Sequence, residues 1–550
     1  MRTRKLILLL AVVALSVALV SVLSACGGDG DTTTPAATTT AGDTVTTTAQ
    51  AGDVTTAATT TAPVVTTTAA PTSFNATFKD EDGTVIATVR FRVGDTALTE
   101  PALPTKAGYL AEWSKYRLGS SDIEVTVIYT SIAEGSQGLE FVKNADLSGY
   151  IVTGYNGSNR AVAIPATYKA EEDAVALPVV EIAAIAFRGE DIVSLYIPES
   201  VVTIGDNAFA QCDSLKTVEL PAGLTALGNY AFFSCDSLES VTFPASLTKI
   251  SSHAFAQCVS LKNLTFKTAT VEGVTVGLAN IATDAFSGCS SIETLILPDT
   301  MATSGNTTSI GAAAFLGCTG LKTLVLPSGL TTLVADTFLG CNAIETLTAN
   351  AGVLPYIPNT SLTTVTLTGG ATLAPSAFKG ADRLTTLHLP ATLTTLPAGR
   401  LDDCLSLTTI TVDAANTFFS VRADGALYYA KEGEVKLVRV PLTKAGSFTV
   451  PADVTTIEGS AFAGCDKLTS ITIGAAVTKI ADKAFYGIGA SYVVIPATVT
   501  TLEGTLFDSE DMLVFCEAAA SAYSTGFGIA TTYYEGEWTL VDGVPTPNAD

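Results

Sequence analysis

The stretch AFAQCDSLKTVELPAGLTALGNYAFFSC, from Ala208 to Cys235, begins and ends on one pattern, a Phe three residues ahead of a Cys. That pattern recurs down most of the chain. Cys212, Cys235 and Cys258 are spaced by 23 residues; Cys289, Cys318 and Cys341 follow at 31, 29 and 23, and Cys404 and Cys465 at longer intervals. Apolar residues travel with them, so that Leu215, Val218 and Leu220 return as Leu238, Val241 and Phe243. A period of about 20–30 residues with apolar side chains at fixed offsets marks a solenoid of the leucine-rich kind, in which no unit buries its apolar face alone and neighbours must stack.

One unit can be read physically. The V-x-L portion alternates as a short strand, and Pro221 and Pro244 then end it, because proline lacks the N–H a ladder requires. The chain returns through Leu224, Leu227, Ala231 and Phe232, expected to face inward, with Asn229 and Tyr230 outward and Gly228 where little side-chain room remains. Phe232 and Phe315 are thus expected as buried rungs, and Lys216 as an exposed one.

The cysteines occupy one position of the unit, where other copies carry Glu190, Ala381 or Glu510. Stacked equivalents would lie about 5 Å apart. Two readings stay open, a small buried hydrophobe and a disulfide somewhere in the column, the second permitted by export. Metal binding is disfavoured: there is no C-x-x-C, and the two His, His253 and His388, lie 135 residues apart at offsets expected to be solvated. No cofactor is implied. The chain has no G-x-S-x-G, H-E-x-x-H or P-loop, and pairs such as Asp402–Asp403 or Glu171–Glu172 are adjacent in sequence and so do not face each other across a substrate. The expectation is a binding protein with no catalytic residues.

Charge narrows the partners. The formal net charge is -24, with 53 acidic against 29 basic residues, which disfavours nucleic acid and anionic headgroups as partners of the folded part.

The N-terminus is organised differently. Arg2, Arg4 and Lys5 precede the apolar run LILLLAVVALSVALV and then LSAC, the layout of an export signal over residues 1–25. It resembles a bacterial lipoprotein signal, which implies cleavage before Cys26, a lipid on that residue, and loss of three positive charges from the mature chain. Residues 26–73 then form the anchor and a Thr/Ala/Pro-rich tract expected to be a flexible stalk, since it offers almost no apolar surface to offset ordering. Residues 74–130 read as strands on either side of Asp82–Gly83, followed by Tyr109, Trp113 and DIEVTVIY, with Trp113 in a small core. This segment resembles the small extracellular repeat module of Listeria and Bacteroides surface proteins, which implies a β-grasp-like unit.

Residues 131–530 resemble the BspA-like, Treponema pallidum-type, leucine-rich repeat family, on copies such as LKTVELPAGLTALGNYAFFSC, LKTLVLPSGLTTLVADTFLGC and VPADVTTIEGSAFAGC. The resemblance implies an α/β-type leucine-rich repeat solenoid of mostly short parallel strands, loops and short turns. It also implies a hairpin insertion near 416–441 with Asp424–Gly425 as a type I′ turn, a last strand and short closing helix within 512–529, and a C-terminal tail at 531–550. Functionally it implies a lipid-anchored protein on the extracellular face of a Gram-positive cell membrane, held through Cys26. Such a protein would serve adhesion or interaction with extracellular proteins, glycans or other cells; the alternative is a structural spacer without a dedicated ligand. Lys216, Thr217, Glu219, Lys322 and Thr323, on the concave strand face, are the candidate ligand-contacting positions.

Overall fold

A computed structural model of the chain describes residues 73–303, 309–374, 376–397, 399–523 and 527–548; the expected signal peptide, Cys26 and the stalk as far as residue 72 lie outside the described residues, and Ser73, placed in the stalk, opens the first strand.

The first folded element is a four-stranded mixed sheet. Ser73–Lys79 pairs antiparallel with Val85–Arg92 and parallel with Ile123–Ser131, which pairs antiparallel with Tyr109–Trp113. Its apolar face gathers Ala76, Phe78, Phe91, Trp113, Val125 and Val127. Trp113 meets Phe78 edge-on at 4.9 Å and donates its Nε1–H to the Pro101 carbonyl at 3.2 Å, which satisfies the indole's polar end.

This sheet is docked on the start of the repeats. The Glu112 carboxylate, buried at 4% exposure, accepts the Arg160 backbone N–H at 3.0 and 3.1 Å, and Asn159 donates to Thr130 Oγ1 at 3.3 Å. Both contacts lie just before the strand Ala161–Ala163, the first of the repeat sheet, whose edge is paired by Ser136: its N–H donates to the Ala163 carbonyl at 2.8 Å and its Oγ accepts the Ala163 N–H at 2.9 Å.

Two-residue strands of the described repeats, such as Thr203–Ile204 with Ala226–Leu227 and Lys249–Ile250 with Asn280–Ile281, pair parallel in separate sheets, while the longer strands build three parallel sheets. The first has five strands, from Ala161–Ala163 through Ser194–Tyr196, Thr217–Glu219 and Ser240–Phe243 to Asn263–Phe266. The second has six, from Thr294–Ile296 through Thr323–Val325, Thr346–Asn350, Thr364–Gly369 and Thr386–Leu389 to Thr409–Val412. The third has five, from Gly446–Thr449 to Thr531–Tyr533. Insertions separate them. Ala269–Val271 and Val274–Val276 form an exposed hairpin after the first sheet, and three antiparallel strands over Phe419–Arg439 follow the second.

The interior explains the period. Phe187, Phe209, Phe232, Phe255, Phe286, Phe315 and Phe338 lie face to face in one column, with ring centroids 5.0–5.5 Å apart and planes within 3–12° of parallel. A second column runs through Phe462, Phe485 and Phe507. Ring spacing matches the roughly 4.8 Å between strands, so each unit advances one strand and one ring together. Gly228 sits where expected: a Cβ there would lie 2.4 Å from Asp206 N and the Gly205 carbonyl carbon, so the units approach too closely for a side chain.

Several features differ from expectation. Asp424 does not have the positive φ that a type I′ turn demands at both central residues; Gly425 does, and the Asp424 carboxylate accepts the Ala426 N–H at 2.9 Å. Paired positive values occur instead at Glu272–Gly273, Glu432–Gly433 and Asp542–Gly543, each the two-residue tip of an antiparallel hairpin. The last strand forms as expected, over Leu513–Cys516, but a three-residue 3-10 turn, Ala520–Ala522, stands in place of the closing helix, because the small side chains there supply no apolar stripe. Beyond 530 the chain adds another rung, Leu513 pairing with Thr531, and then the hairpin Trp538–Val541 and Val544–Pro547. In LPAGRLDDC, Leu401 is buried in place of the usual Phe.

The apolar interior divides into two clusters near the insertion at 416–441. Arg439, 1% exposed, lies at this division, and donates to the Ser460 carbonyl and, at 3.3 Å, to the Cys404 carbonyl.

Phe232→Ala should cost about 3–5 kcal/mol through lost transfer energy and a cavity, and Lys216→Ala almost nothing; chemical denaturation of the two variants checks the inward and outward assignments. Burial holds the Glu112 pKa above the ordinary carboxylate value. Its stabilising contribution is therefore complete below the unfolded-state value and lost as pH rises through the raised one. Glu112→Gln keeps an acceptor without the charge, so its melting temperature should gain on the wild type between about pH 4 and 7. Equal shifts at both pH values would show the carboxylate to be solvated.

Candidate interaction surface

The thiols, the most conspicuous candidates for chemistry in the sequence, are packing groups. All nine described cysteines are free and buried. The S–H of Cys212, Cys235, Cys258 and Cys289 donates to the carbonyl of Phe187, Phe209, Phe232 and Phe255, respectively, at 3.1–3.2 Å. Cys318 and Cys341 repeat the contact with Phe286 and Phe315 at 3.3 and 3.1 Å. Each thiol thus fills a small apolar space and satisfies a turn carbonyl of the preceding unit, which is what a soft, weakly donating side chain does well. Burial pushes the Cys289 and Cys404 thiols up to about 12, far from a nucleophilic thiolate at neutral pH.

The histidines depart from expectation in part. His253 is half-buried: its ring stacks on Tyr230 at 4.4 Å, and Nε2 lies 3.5 Å from Asp284 Oδ2. This follows from stacking, since residues 230, 253 and 284 occupy the same left-handed position of successive units. His388 projects from the strand Thr386–Leu389, with Nδ1 2.9 Å from Thr411 Oγ1. Among the described residues no group of three or more His, Cys, Asp and Glu is placed to hold a metal ion, and no helix is long and apolar enough to cross a membrane.

What remains as a site is the outward face of the strands. Lys216, Thr217 and Glu219 are exposed on the first repeat sheet, while Lys322 is exposed and Thr323 half-buried on the second. They do not form one cluster. Lys216 belongs to a column linked by backbone hydrogen bonds to Glu239 and Lys262. Glu293, Lys322 and Glu345 continue the alternation on the second sheet, where Lys322 Nζ lies 3.4 Å from Glu293 Oε2. Alternating signs in neighbouring rungs cancel locally, so this column contributes little net field.

The second sheet carries a feature that the choice of single residues passed over. Thr294, Thr323, Thr346, Thr364, Thr386 and Thr409 stand directly beside one another across all six strands. Two residues on, Ile296, Val325, Thr348, Thr366, His388 and Thr411 form a parallel column. The signal was present in IETLIL, LKTLVL, IETLTA, LTTVTL, LTTLHL and LTTITV, each with Thr at its third position. Buried Leu295, Leu324, Leu347, Val365, Leu387 and Ile410 alternate with them and hold the face in register.

The same repeats are matched by a known family. The model for the BspA type leucine rich repeat region matches in six copies over residues 180–307, 279–363, 357–423 and 442–520. The chain belongs to the BspA-type leucine-rich repeat family. Comparison with curated proteins gives no match. Among solved structures, similarity extends to a leucine-rich cell surface protein from Faecalibacterium prausnitzii at 21% identity, covering 73% of this chain and 94% of that one with a TM-score of 0.26. A leucine-rich repeat protein from Bacteroides ovatus is 18% identical, covering 72% and 98% with a TM-score of 0.30. The T. pallidum leucine-rich repeat protein is 28% identical, covering 45% and 89% with a TM-score of 0.28. The BspA-type assignment rests on the repeat match and on the stacking described above.

Thiol labelling tests the interior of these BspA-type units. Cys212, Cys235 and Cys258 should be unreactive in the native protein at pH 8 and react fully on unfolding without added reductant; a requirement for reductant would establish a disulfide.

Proposed function

We propose that this BspA-type protein is a lipid-anchored binding scaffold on the extracellular face of a bacterial cell membrane. The observation that carries the reading is the outward strand face, a broad repetitive surface on a stack whose interior chemistry is spent on packing. The leader ending in LSAC supports export and lipid attachment at Cys26, and the Thr-rich segment that follows supports a stalk between the anchor and the folded part. The sequence pattern of residues 74–130 supports a β-grasp-like repeat module, serving in this proposal as the N-terminal cap of the stack. Partners are extracellular proteins or glycans; no nucleic acid and no catalytic step is proposed.

The test has two arms. Intact-mass measurement of membrane-extracted protein should show loss of residues 1–25 and a lipid on Cys26, and Cys26→Ala should release the protein; retention of residues 1–25 would remove the anchor. Pull-down from extracellular matrix, mucin and co-resident bacterial surfaces should enrich partners; an empty pull-down would favour the structural spacer. Capture of a basic protein should weaken as salt rises from about 0.05 to 0.5 M, because long-range attraction to an acidic chain is screened.

A further inference from the structure

We propose that the threonine face of the six-stranded sheet docks a neutral, β-linked polysaccharide chain lying across the strands. This rests on the surface-scaffold reading and deepens it, naming the face and the chemistry of the ligand.

The first observation is hydrogen-bonding capacity. Among the described residues no protein group is hydrogen-bonded to the hydroxyl of Thr294, Thr323, Thr346, Thr364, Thr386 or Thr409. The adjacent threonines behave differently: the hydroxyls of Thr363, Thr385 and Thr408 donate to the carbonyls of Glu345, Thr363 and Thr385 at 3.1, 2.9 and 3.1 Å. The first column therefore holds six hydroxyls in fixed register, each with a donor and acceptor capacity the fold leaves unused. Neighbours are one strand spacing apart, about 4.8 Å, too far to bond one another.

The second observation is charge. No outward strand position of this sheet, in either column, carries a formal charge, although the chain as a whole stands at -24. At the rim the Glu293–Lys322 pair neutralises itself at 3.4 Å, and Glu345 adds one exposed acidic side chain. A polyanion or polycation finds no charged column on the face itself, which therefore suits an uncharged ligand.

The third is commensurability. An extended β-linked pyranose chain advances by about one strand spacing per sugar, which sets one sugar against each rung. Hydroxyl and methyl on each threonine match the equatorial hydroxyls and the C–H face of such a sugar. A polypeptide fits less well, because strand addition needs a free sheet edge, and this surface offers side chains only. Individually weak contacts repeated over six rungs add through a single ligand chain.

The test is native affinity electrophoresis of the full chain in gels containing hydroxyethylcellulose or mixed-linkage β-glucan, with dextran, an α-linked chain, as comparison. The expected result is retardation by the β-linked polymers and none by dextran, unchanged between about 0.05 and 0.5 M salt. The triple variant Thr346→Val, Thr364→Val, Thr386→Val keeps shape and methyl groups, and should weaken binding at least tenfold with an unaltered melting curve. Thr88→Val, on the exposed side of the strand Val85–Arg92 outside the repeats, should bind as wild type. The proposal is overturned by absence of retardation, by equal retardation in dextran, by full binding in the triple variant, or by equal loss in Thr88→Val. If β-glucan fails while matrix or mucin proteins are still captured, the scaffold reading stands and the glycan assignment falls; if both fail, the scaffold reading falls too.

Discussion

Everything in this molecule depends on keeping each unit in phase with the one before it. The ring of Phe232 lies 5.1 Å from Phe209 and 5.2 Å from Phe255, and the strands beside them pair residue for residue, Val218 with Val241 and Val241 with Leu264. Since rings and strands share one spacing, a unit that gained a residue inside this circuit would shift its apolar side chains off the column. Extra residues therefore either leave the stack, as in the hairpin after Phe266, or build a rung of their own, as where Glu434–Arg439 pairs parallel with Thr456–Ile457 and buries Leu437.

Polar groups obey the same phase. The Asp206 carboxylate accepts the Asn229 N–H at 2.7 Å, and Asp482 accepts that of Thr505 at 2.8 Å, each reaching the next unit's turn. Thiols do the reverse, donating back to the preceding unit's Phe carbonyl. A backbone of tight turns, with a left-handed residue before most of the cysteines, would be costly to bury without such partners. A Cβ at Gly317, where φ is 72°, would meet nothing within 4 Å, so its glycine answers to backbone conformation alone, whereas Gly228 answers to the close approach of its neighbour.

The outward face inherits this regularity without contributing to it. Inward positions are held to Leu, Val, Ile and Phe by the interior; outward positions are free to vary, and on the second sheet they converge on threonine. Belonging to the BspA-type family accounts for the stack, and the particular outward residues distinguish what this stack can contact.

The repeat, its strand, its inward Phe and its crowded Gly were legible in the sequence, because a 23-residue period with fixed apolar offsets admits one stacked solution. Trp113 was legible as core for the same reason of pattern. The thiols were not: spacing alone left a buried hydrophobe and a disulfide open, and the choice depended on whether Sγ points to its column neighbour or to the Phe carbonyl. Nor could spacing show that Lys216 and Lys322 stand on separate sheets, that His253 lies against Tyr230, or that Glu112 holds the start of the repeats through the backbone of Arg160, 48 positions away. Local sequence determined what each unit is; only the tertiary structure decided which side chains of different units meet, because that depends on where the insertions interrupt the stack.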